Sequence, residues 1–253
     1  MKGMILAAGL GTRLRPLTND RPKALVEIAG HTLLEITILR LRQFGVREII
    51  INVHHFAGKM IEYLQSKDNF GLRIEVSHED ILLDTGGGLK KAAWFFLEDD
   101  SFGEPFIVHN VDVISNIDLG QLLDFHRQNQ ALATLAVQQR ESSRYLLFDD
   151  QMQLCGRRFL KEQRTEMARA AQQLQELAFT GIHVISPRLL QMISEEGVFS
   201  IIETYLRLAR KDEKIIGSRV DSAYWRDLGQ PENVARAAEE IKKPLPQINA
   251  DKR

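Results

Sequence analysis

Two glycines and two cations stand close together just after the first apolar segment of the chain. Gly9 and Gly11 follow residues 4–8, and Arg13 and Lys23 come next. Glycine lets the backbone turn sharply, so that successive N–H groups can surround phosphate oxygens, and the cations would offset phosphate charge. This order predicts a phosphate-binding loop, although two glycines after a strand more often form a plain turn.

Two other phosphate-binding patterns do not fit this loop. A dinucleotide-binding fingerprint needs a third glycine or alanine, where the chain has Leu14, and an acidic residue about 20 positions later. A P-loop needs a lysine and a hydroxyl residue directly after its last glycine, whereas Gly11 is followed by Thr12 and Arg13. A dinucleotide-dependent oxidoreductase and a P-loop protein are therefore both disfavoured.

Short segments rich in isoleucine and valine alternate with segments of helical spacing in the first half of the chain. Such alternation indicates an α/β fold with a largely parallel sheet. Asp112 stands at the exit of one of these strands, where ligands of open α/β sheets bind. The predicted strands are 3–8, 48–53, 73–77 and 105–109, and the predicted helices are 33–44, 58–65, 88–97 and 119–128.

After residue 130 the predicted strands become shorter, which suggests antiparallel or mixed pairing. No internal repeat or flexible linker interrupts the sequence, so we expect one domain, 1–243, followed by a polar tail, 244–253. The predicted strands of this half are 131–137, 145–149, 151–154 and 178–185, and the predicted helices are 164–176, 187–192, 200–208 and 231–242.

The composition excludes several classes of protein. Among 253 residues, 33 lysines and arginines face 34 aspartates and glutamates, a net charge of −1. The broad basic surface of a nucleic-acid or anionic-membrane binder is therefore not expected. One cysteine, Cys155, permits neither an internal disulfide nor a cysteine-based metal site. With no apolar run of about 20 residues and no secretory leader, we expect a cytoplasmic protein.

The glycine loop resembles the signature of the sugar-1-phosphate nucleotidyltransferases. Their pattern L-A-A-G-x-G-T-R-L-x-P-L-T-x-x-x-P-K is complete between Leu6 and Lys23. The resemblance extends over residues 1–238 and implies a Rossmann-like three-layer α/β fold with a mixed, mainly parallel central sheet. It also implies Mg²⁺ as cofactor and two substrates, an NTP and a sugar 1-phosphate.

Further segments match the family and imply roles for particular residues. Asp112, in a segment where relatives carry N-G-D and this chain has valine for the glycine, would hold the metal together with Asp227. Thr180 and Gly181 would line the sugar pocket. Arg13 and Lys23 would be the catalytic cations, and the nucleotide would be bound by Leu6, Ala7, Ala8, Gly9, Gly11, Thr12, Arg13, Glu79, Gly86, Gly87 and Asn110.

The implied reaction is attack by an oxygen of the sugar 1-phosphate on the α-phosphorus of the NTP, with release of pyrophosphate. Because the attacking phosphate is already anionic, catalysis needs positioning and charge stabilisation rather than a general base. Within the family the chain looks most like enzymes that use UTP and N-acetylmuramate 1-phosphate. Guanylyltransferases for mannose or heptose 1-phosphate share nearly all of its motifs. A nucleotide-binding regulatory paralogue without activity is an alternative from another class, and a homodimer is compatible with the sequence.

Overall fold

The computed structural model describes residues 1–98 and 103–242, so the predicted tail 244–253 lies outside the described residues. Within them, none of the helices has the length and apolar character needed to cross a lipid bilayer. The strands are β1 (Lys2–Leu6), β2 (Glu27–Ile28), β3 (His31–Thr32), β4 (Glu48–Val53), β5 (Arg73–His78), β6 (Phe106–Asn110), β7 (Val113–Ser115), β8 (Ala133–Gln138), β9 (Arg144–Phe148), β10 (Leu154–Phe159), β11 (Arg164–Met167), β12 (Gln175–Ile185), β13 (Ile215–Arg219) and β14 (Trp225–Asp227). The helices are α1 (Leu33–Gln43), α2 (Ala57–Ser66), α3 (Asp84–Lys91), α4 (Ala93–Leu97), α5 (Leu119–Asn129), α6 (Ile201–Ala209) and α7 (Pro231–Lys242).

Four parallel strands form the centre of a ten-stranded sheet. Their order is β6-β1-β4-β5, with β1 paired to both β4 and β6. Because these strands run in the same direction, their carboxyl ends meet at one edge of the sheet. Leu6, Val53 and Asn110 end β1, β4 and β6. The glycine loop therefore leaves the sheet at the edge where ligands of α/β proteins bind.

An antiparallel arm extends the sheet beyond β6. The long strand β12 pairs with β6 through its second half, and its first residues pair with β9. β9 then pairs with β10, and β10 with β11. We call residues 144–177 the arm. A second branch consists of β8, which pairs with β12 and with β13.

The predicted helix at 164–176 is wrong, because this segment contains β11 and the start of β12. Its alanines, glutamines and glutamates favour a helix locally. The edge of β10 offers backbone partners, however, and Arg157 on β10 donates from Nε to Glu166 Oε2 on β11 at 2.7 Å. Long-range strand pairing thus overrides local propensity. The predicted helix 187–192 is a 3-10 helix.

Helices cover both faces of the sheet. Ile5 and Ile107 pack in one core with residues of α1, α2, α5 and α7, whereas Met4 and Val108 pack in a second core with residues of α3, α4 and α6. All four side chains are fully buried. Because side chains alternate along a strand, neighbouring residues fill different cores. The predicted three-layer α/β fold with a mixed, mainly parallel central sheet is confirmed.

Candidate active site

Three cavities open along the carboxyl edge of the central strands, and Asn110 lines all of them. The loop cavity has a volume of about 330 Å³, the arginine cavity about 530 Å³ and the connecting cavity about 440 Å³. Their shared walls make them one continuous cleft. The connecting cavity shares Leu6, Asp84 and Thr85 with the loop cavity, and Arg144, Arg157, Phe159, Phe179, Ser200 and Ile202 with the arginine cavity.

The glycine loop forms one wall of the loop cavity. Residues 6–9 line it, together with Lys23 and Asp112. No acceptor in the described part of the chain takes the backbone N–H of Ala8 or of Gly9. A Cβ added at Gly9 would meet nothing within 4 Å. The loop therefore offers both N–H donors and open space to an anionic ligand.

Gly11 fixes the shape of the loop rather than lining a cavity. Its φ is 64°, in the left-handed region that favours glycine, and its carbonyl accepts from Thr18 Oγ1 at 2.8 Å. A Cβ at Gly11 would lie 3.0 Å from Lys23 Cβ. Gly11 thus packs the loop against the buried stem of Lys23. Neither Gly11 nor Thr12, both predicted to bind the nucleotide, lines any of the three cavities.

Glu79 is a buried connection between two segments. Its Oε1 accepts from Asn52 Nδ2 at 2.7 Å, and its Oε2 accepts from the Leu83 N–H at 2.9 Å. Asn52 Oδ1 in turn accepts from the backbone N–H of Ala7 at 2.7 Å. This network ties the segment before α3 to the glycine loop. Glu79 is fully buried and lines none of the three cavities, so its contact with a nucleotide stays a prediction.

The three glycines 86–88 lie inside α3, so the predicted start of that helix at residue 88 is wrong. A Cβ at Gly86 would overlap the Phe199 ring, and one at Gly87 would lie 2.6 Å from the Gly197 carbonyl oxygen. Close packing against the segment before α6 therefore explains both glycines. Neither lines any of the three cavities, and the residues of α3 that line the loop cavity are Asp84 and Thr85.

Asp112 and Asp227 lie next to paired strands. β14, which ends in Asp227, runs antiparallel to β7, and the Leu228 N–H donates to the Asp112 carbonyl at 2.8 Å. Lys23 Nζ donates to Asp112 Oδ2, and the Gly229 N–H donates to Asp227 Oδ1 at 2.5 Å. Within residues 1–98 and 103–242, no group of three histidine, cysteine or acidic side chains could hold a metal ion. A cation here would need ligands beyond these two carboxylates.

Arg13 reaches the same region from the glycine loop. A Cβ at Gly229 would lie 2.8 Å from Arg13 Nη2 and 2.7 Å from Asp227 Oδ1. The absence of a side chain at Gly229 thus lets the guanidinium approach this segment. Arg13 and Asp227 line the arginine cavity and not the loop cavity. Among the described residues the Arg13 guanidinium has no hydrogen-bond or ion-pair partner, so it is available to a ligand.

Thr180 and Gly181 on β12 line the arginine cavity. Thr180 Oγ1 donates to the Ala136 carbonyl at 2.9 Å, and Trp225 Nε1 donates to the Thr180 carbonyl at 2.8 Å. Gly181 has a φ of 81°, and a Cβ there would lie 2.7 Å from Asn110 Nδ2. The two residues predicted for the sugar pocket therefore both border the arginine cavity. The absence of a side chain at Gly181 leaves room for the side chain of Asn110.

Arg140 is a half-buried cation that the sequence did not indicate. Its Cζ lies 3.7 Å from the centre of the Trp225 ring, and its Nη2 donates to the Phe179 carbonyl at 2.9 Å. Burial lowers the pKa of Arg140, while the nearby Asp227 carboxylate opposes that shift. The guanidinium thus joins β14 to β12 at the wall of the arginine cavity. No spacing in the sequence indicates a contact between residues so far apart.

Arginines dominate the charged lining of the arginine cavity. A local excess of this kind is invisible in a net charge of −1. Three of its members, Arg144, Arg157 and Arg158, come together only when β9 and β10 pair. Such a wall raises the local concentration of anionic ligands. The charged residues of the lining are Arg13, Arg140, Arg144, Arg157, Arg158 and Asp227.

Two buried histidines adjoin the cleft: His183 lines the connecting cavity, and His109 precedes Asn110. His183 Nδ1 and the Tyr205 hydroxyl are 2.6 Å apart, and His109 Nδ1 lies 2.8 Å from the Asn110 carbonyl oxygen. Burial lowers the pKa of His109 to about 4 and that of His183 to about 3. Both rings are therefore neutral at pH 7 and act as parts of the core.

Similarity to known proteins agrees with this geometry. The nucleotidyl transferase family model matches residues 2–244. The chain belongs to the nucleotidyl transferase family. The N-acetylmuramate alpha-1-phosphate uridylyltransferase of Caulobacter vibrioides is 33% identical to this nucleotidyl transferase over 237 residues, 90% of this chain and 92% of that protein. These matches confirm the assignment to the sugar-1-phosphate nucleotidyltransferases made from the sequence.

Other relatives of this nucleotidyl transferase are longer or more distant. The mannose-1-phosphate guanyltransferase of Yarrowia lipolytica is 32% identical over 239 residues, which are 92% of this chain but 62% of that protein. The solved structure of a UDP-glucose pyrophosphorylase from Acinetobacter baumanii superposes with a TM-score of 0.77 at 17% identity, covering 96% of this chain and 94% of that one. At this identity the likeness supports the fold alone.

Proposed function

We propose that the protein transfers a uridylyl group from UTP to N-acetylmuramate 1-phosphate, giving UDP-N-acetylmuramate and pyrophosphate. The observation that carries the proposal is the junction of the loop cavity and the arginine cavity at Asn110. One cavity offers backbone donors and the Lys23–Asp112 pair, and the other offers arginines. The choice of substrates is supported by the similarity to the Caulobacter uridylyltransferase, which extends over 92% of that protein.

The chemistry requires two polyanions to meet. An oxygen of the acceptor phosphate attacks the α-phosphorus of UTP, and a new P–O bond forms as the bond to the β-phosphate oxygen breaks. No proton has to be removed from the attacking oxygen, because it is already ionised. The protein must therefore hold the reacting atoms in line and stabilise their negative charge.

The residues around Asn110 are suited to these two tasks. In the proposed complex the N–H groups of Ala8 and Gly9 donate to phosphate oxygens of the nucleotide in the loop cavity. Lys23 Nζ, held beside Asp112, offsets charge near the α-phosphate. Arg13 stabilises the leaving pyrophosphate from the arginine-cavity side. Thr180 and Gly181 bound the space for the sugar.

The donor set fits Mg²⁺, which we propose as the cofactor. Magnesium prefers hard oxygen ligands and binds through one or two carboxylates, with water and phosphate oxygens completing its shell. Asp112 and Asp227 supply two such carboxylates from adjoining segments. Asp112 would be shared between the cation and Lys23. Bound there, the cation would add positive charge next to the reacting phosphates.

The substrate assignment is tested by measuring pyrophosphate release for four NTPs against the 1-phosphates of N-acetylmuramate, mannose and heptose. We expect UTP with N-acetylmuramate 1-phosphate to give a kcat/KM at least about tenfold above any other pair. A guanylyltransferase is the second candidate, favoured by the 32% identity to the Yarrowia protein. GTP with mannose 1-phosphate as the best pair would establish it. Nucleotide binding without pyrophosphate release from any pair would contradict both.

A further inference from the structure

One aromatic ring of the arm is surrounded by three guanidinium groups. The Cζ atoms of Arg144, Arg157 and Arg164 lie 5.7, 4.9 and 4.4 Å from the centre of the Phe159 ring. Arg144 and Arg164 both stand opposite Phe159 in the strand register, one on each neighbouring strand. All four residues line the connecting cavity. The arm therefore presents a basic face to the cleft.

The carboxylates of the arm leave one of these guanidiniums without a partner. Glu166 pairs through Oε2 with Arg157 Nε at 2.7 Å and through Oε1 with Arg164 Nη1 at 3.0 Å. Among the described residues the guanidinium of Arg144 makes neither a hydrogen bond nor an ion pair. Arg144 is also exposed to the cleft. One positive charge of this face is therefore available to a ligand.

Two guanidiniums that have no partner among the described residues, those of Arg13 and Arg144, line the arginine cavity. Arg13 lies beside Gly229 and Asp227, where the reacting phosphates are proposed to bind. Arg144 lies on the arm and also lines the connecting cavity, whose lining includes neither Arg13 nor Lys23 nor either proposed metal ligand. An acceptor whose 1-phosphate lies among the reacting phosphates near Arg13 can therefore direct a second anionic group to Arg144 on the arm.

We propose that Arg144 binds a carboxylate carried by the sugar of the acceptor and so selects acidic sugar 1-phosphates over neutral ones. The planar guanidinium can donate two parallel N–H bonds to a carboxylate, and one unpaired positive charge matches the single charge of that group. The Phe159 ring supports the guanidinium from its face. The lactyl carboxylate of N-acetylmuramate is a group of this kind. The proposal rests on the proposed function, because it requires the acceptor to occupy the arginine cavity.

The test compares N-acetylmuramate 1-phosphate with its carboxamide, which has the same size but lacks the charge. Wild-type protein, Arg144→Gln and Arg144→Lys are assayed with UTP for pyrophosphate release, and binding of both compounds is measured by calorimetry. Arg188→Gln is the matched control, because Arg188 is exposed, pairs with Glu213 at 2.7 Å and lines none of the three cavities. Glucose 1-phosphate and glucose 1,6-bisphosphate test a phosphate as the second anion.

We expect the wild-type kcat/KM to favour the acid over the amide by about tenfold or more. Arg144→Gln should reduce this preference to near one, Arg144→Lys should restore part of it, and Arg188→Gln should leave it intact. Equal use of acid and amide by the wild type would overturn the proposal, as would an unchanged preference in Arg144→Gln. If the wild type prefers glucose 1,6-bisphosphate over glucose 1-phosphate more strongly than it prefers the acid over the amide, the group that Arg144 binds is a phosphate and the carboxylate proposal is wrong. If no pair releases pyrophosphate, the proposed function fails, and the calorimetric preference still decides whether Arg144 binds a carboxylate.

Discussion

The loop cavity and the arginine cavity meet at Asn110 but are built in different ways. Consecutive residues 6–9 form a wall of the first, mainly with backbone, and its one ion pair in the described structure is Lys23–Asp112. The second is formed by side chains from strands far apart in the sequence, and arginines dominate its charges. One wall is a continuous segment, and the other exists only after the arm has folded.

This difference separates two tasks. A backbone wall offers the same N–H groups whatever side chains surround it, which suits the phosphates that every NTP carries. A wall of side chains can be changed one residue at a time, which suits the choice of acceptor. We therefore expect substitutions beside the loop cavity to reduce turnover with all substrates. Apart from Arg13 and Asp227, which are proposed to act on the reacting phosphates, substitutions in the arginine cavity should alter acceptor use more than nucleotide use.

The largest effect is expected at the junction itself. Asp112→Asn removes the negative charge that pairs with Lys23 and that would hold the cation. We predict a fall in turnover of at least about a hundredfold, since groups that stabilise transition-state charge are each worth a few kcal/mol. The same fall is expected for Asp227→Asn. Pyrophosphate release at saturating substrates measures both.

Asp124→Asn serves as the control for these two variants, because Asp124 is an exposed aspartate of α5 that lines none of the three cavities. It should retain wild-type turnover. If both Asp112→Asn and Asp227→Asn release pyrophosphate at near wild-type rates, the two aspartates are not the metal ligands. The junction is then not the reaction centre.

A smaller loss is expected from a methyl group at Gly181. Its φ is 81°, and the new Cβ would lie 2.7 Å from Asn110 Nδ2, so Asn110 must move. Because Asn110 lines both cavities, we predict a fall of about tenfold to hundredfold in kcat/KM for both substrates. A misplacement of about 1 Å in an active site can reduce the rate by about a hundredfold. Steady-state kinetics in both substrates measures this change.

Gly45→Ala separates strain from displacement in this experiment. Gly45 has a φ of 85°, and a Cβ added there would meet no other atom within 4 Å. Both variants should lose about 1 kcal/mol or more of unfolding free energy, because alanine is disfavoured in the left-handed region. Only Gly181→Ala should also lose activity. Equal activities of the two variants would show that Asn110 does not have to stay in place.

The same contrast explains what could be predicted from the sequence. The glycine loop is one continuous motif after an apolar strand, and periodicity placed β1, β4 and β6 with errors of a few residues. Asp112 and Asp227 were identified by resemblance, and the structure brings their segments together. Local order along the chain was enough for these features.

Features that depend on contacts between distant residues could not be predicted in this way. The segment 164–176 has a helical composition but forms strands, because β10 provides a pairing edge. Gly86 and Gly87 were predicted to bind the nucleotide ahead of a helix that starts at residue 88, but they are packing positions inside α3. The stacking of Arg140 on Trp225 likewise has no local signal. Spacing and composition in a single sequence do not indicate which distant residues come into contact.

Arg140→Lys tests whether the arginine cavity is specific to the acceptor. Lysine keeps the charge but loses the planar contact with Trp225 and the fixed fork that donates to the Phe179 carbonyl. We predict an increase of about fivefold in the KM for the acceptor, from a loss of roughly 1 kcal/mol. The KM for the NTP should change by less than a factor of about two on the same argument. An equal rise in both values would show that the two cavities do not act separately, and Arg188→Lys is the control.

The smallest effect concerns two buried histidines near Asn110, and it should appear in stability: His109 precedes Asn110, and His183 lines the connecting cavity. Burial holds the pKa of His183 at about 3 and that of His109 at about 4, whereas an unfolded chain has histidine pKa values near 6.5. Below pH 6.5 the unfolded state therefore binds protons that the folded state does not. The unfolding free energy should be fully present above pH 6.5 and should fall as the pH drops, until it levels off below the folded pKa values.

At pH 5.5 the expected loss is about 1 kcal/mol for each buried histidine. Denaturant unfolding followed by tryptophan fluorescence at pH 7.5, 6.5 and 5.5 measures it. His183→Gln should have a shallower pH dependence than the wild type, and the same substitution at the exposed His78 controls for the loss of an imidazole. If the unfolding free energy of His183→Gln falls with pH as steeply as that of the wild type, the His183 ring takes up its proton within the fold. The lining of the connecting cavity would then carry a further positive charge at His183.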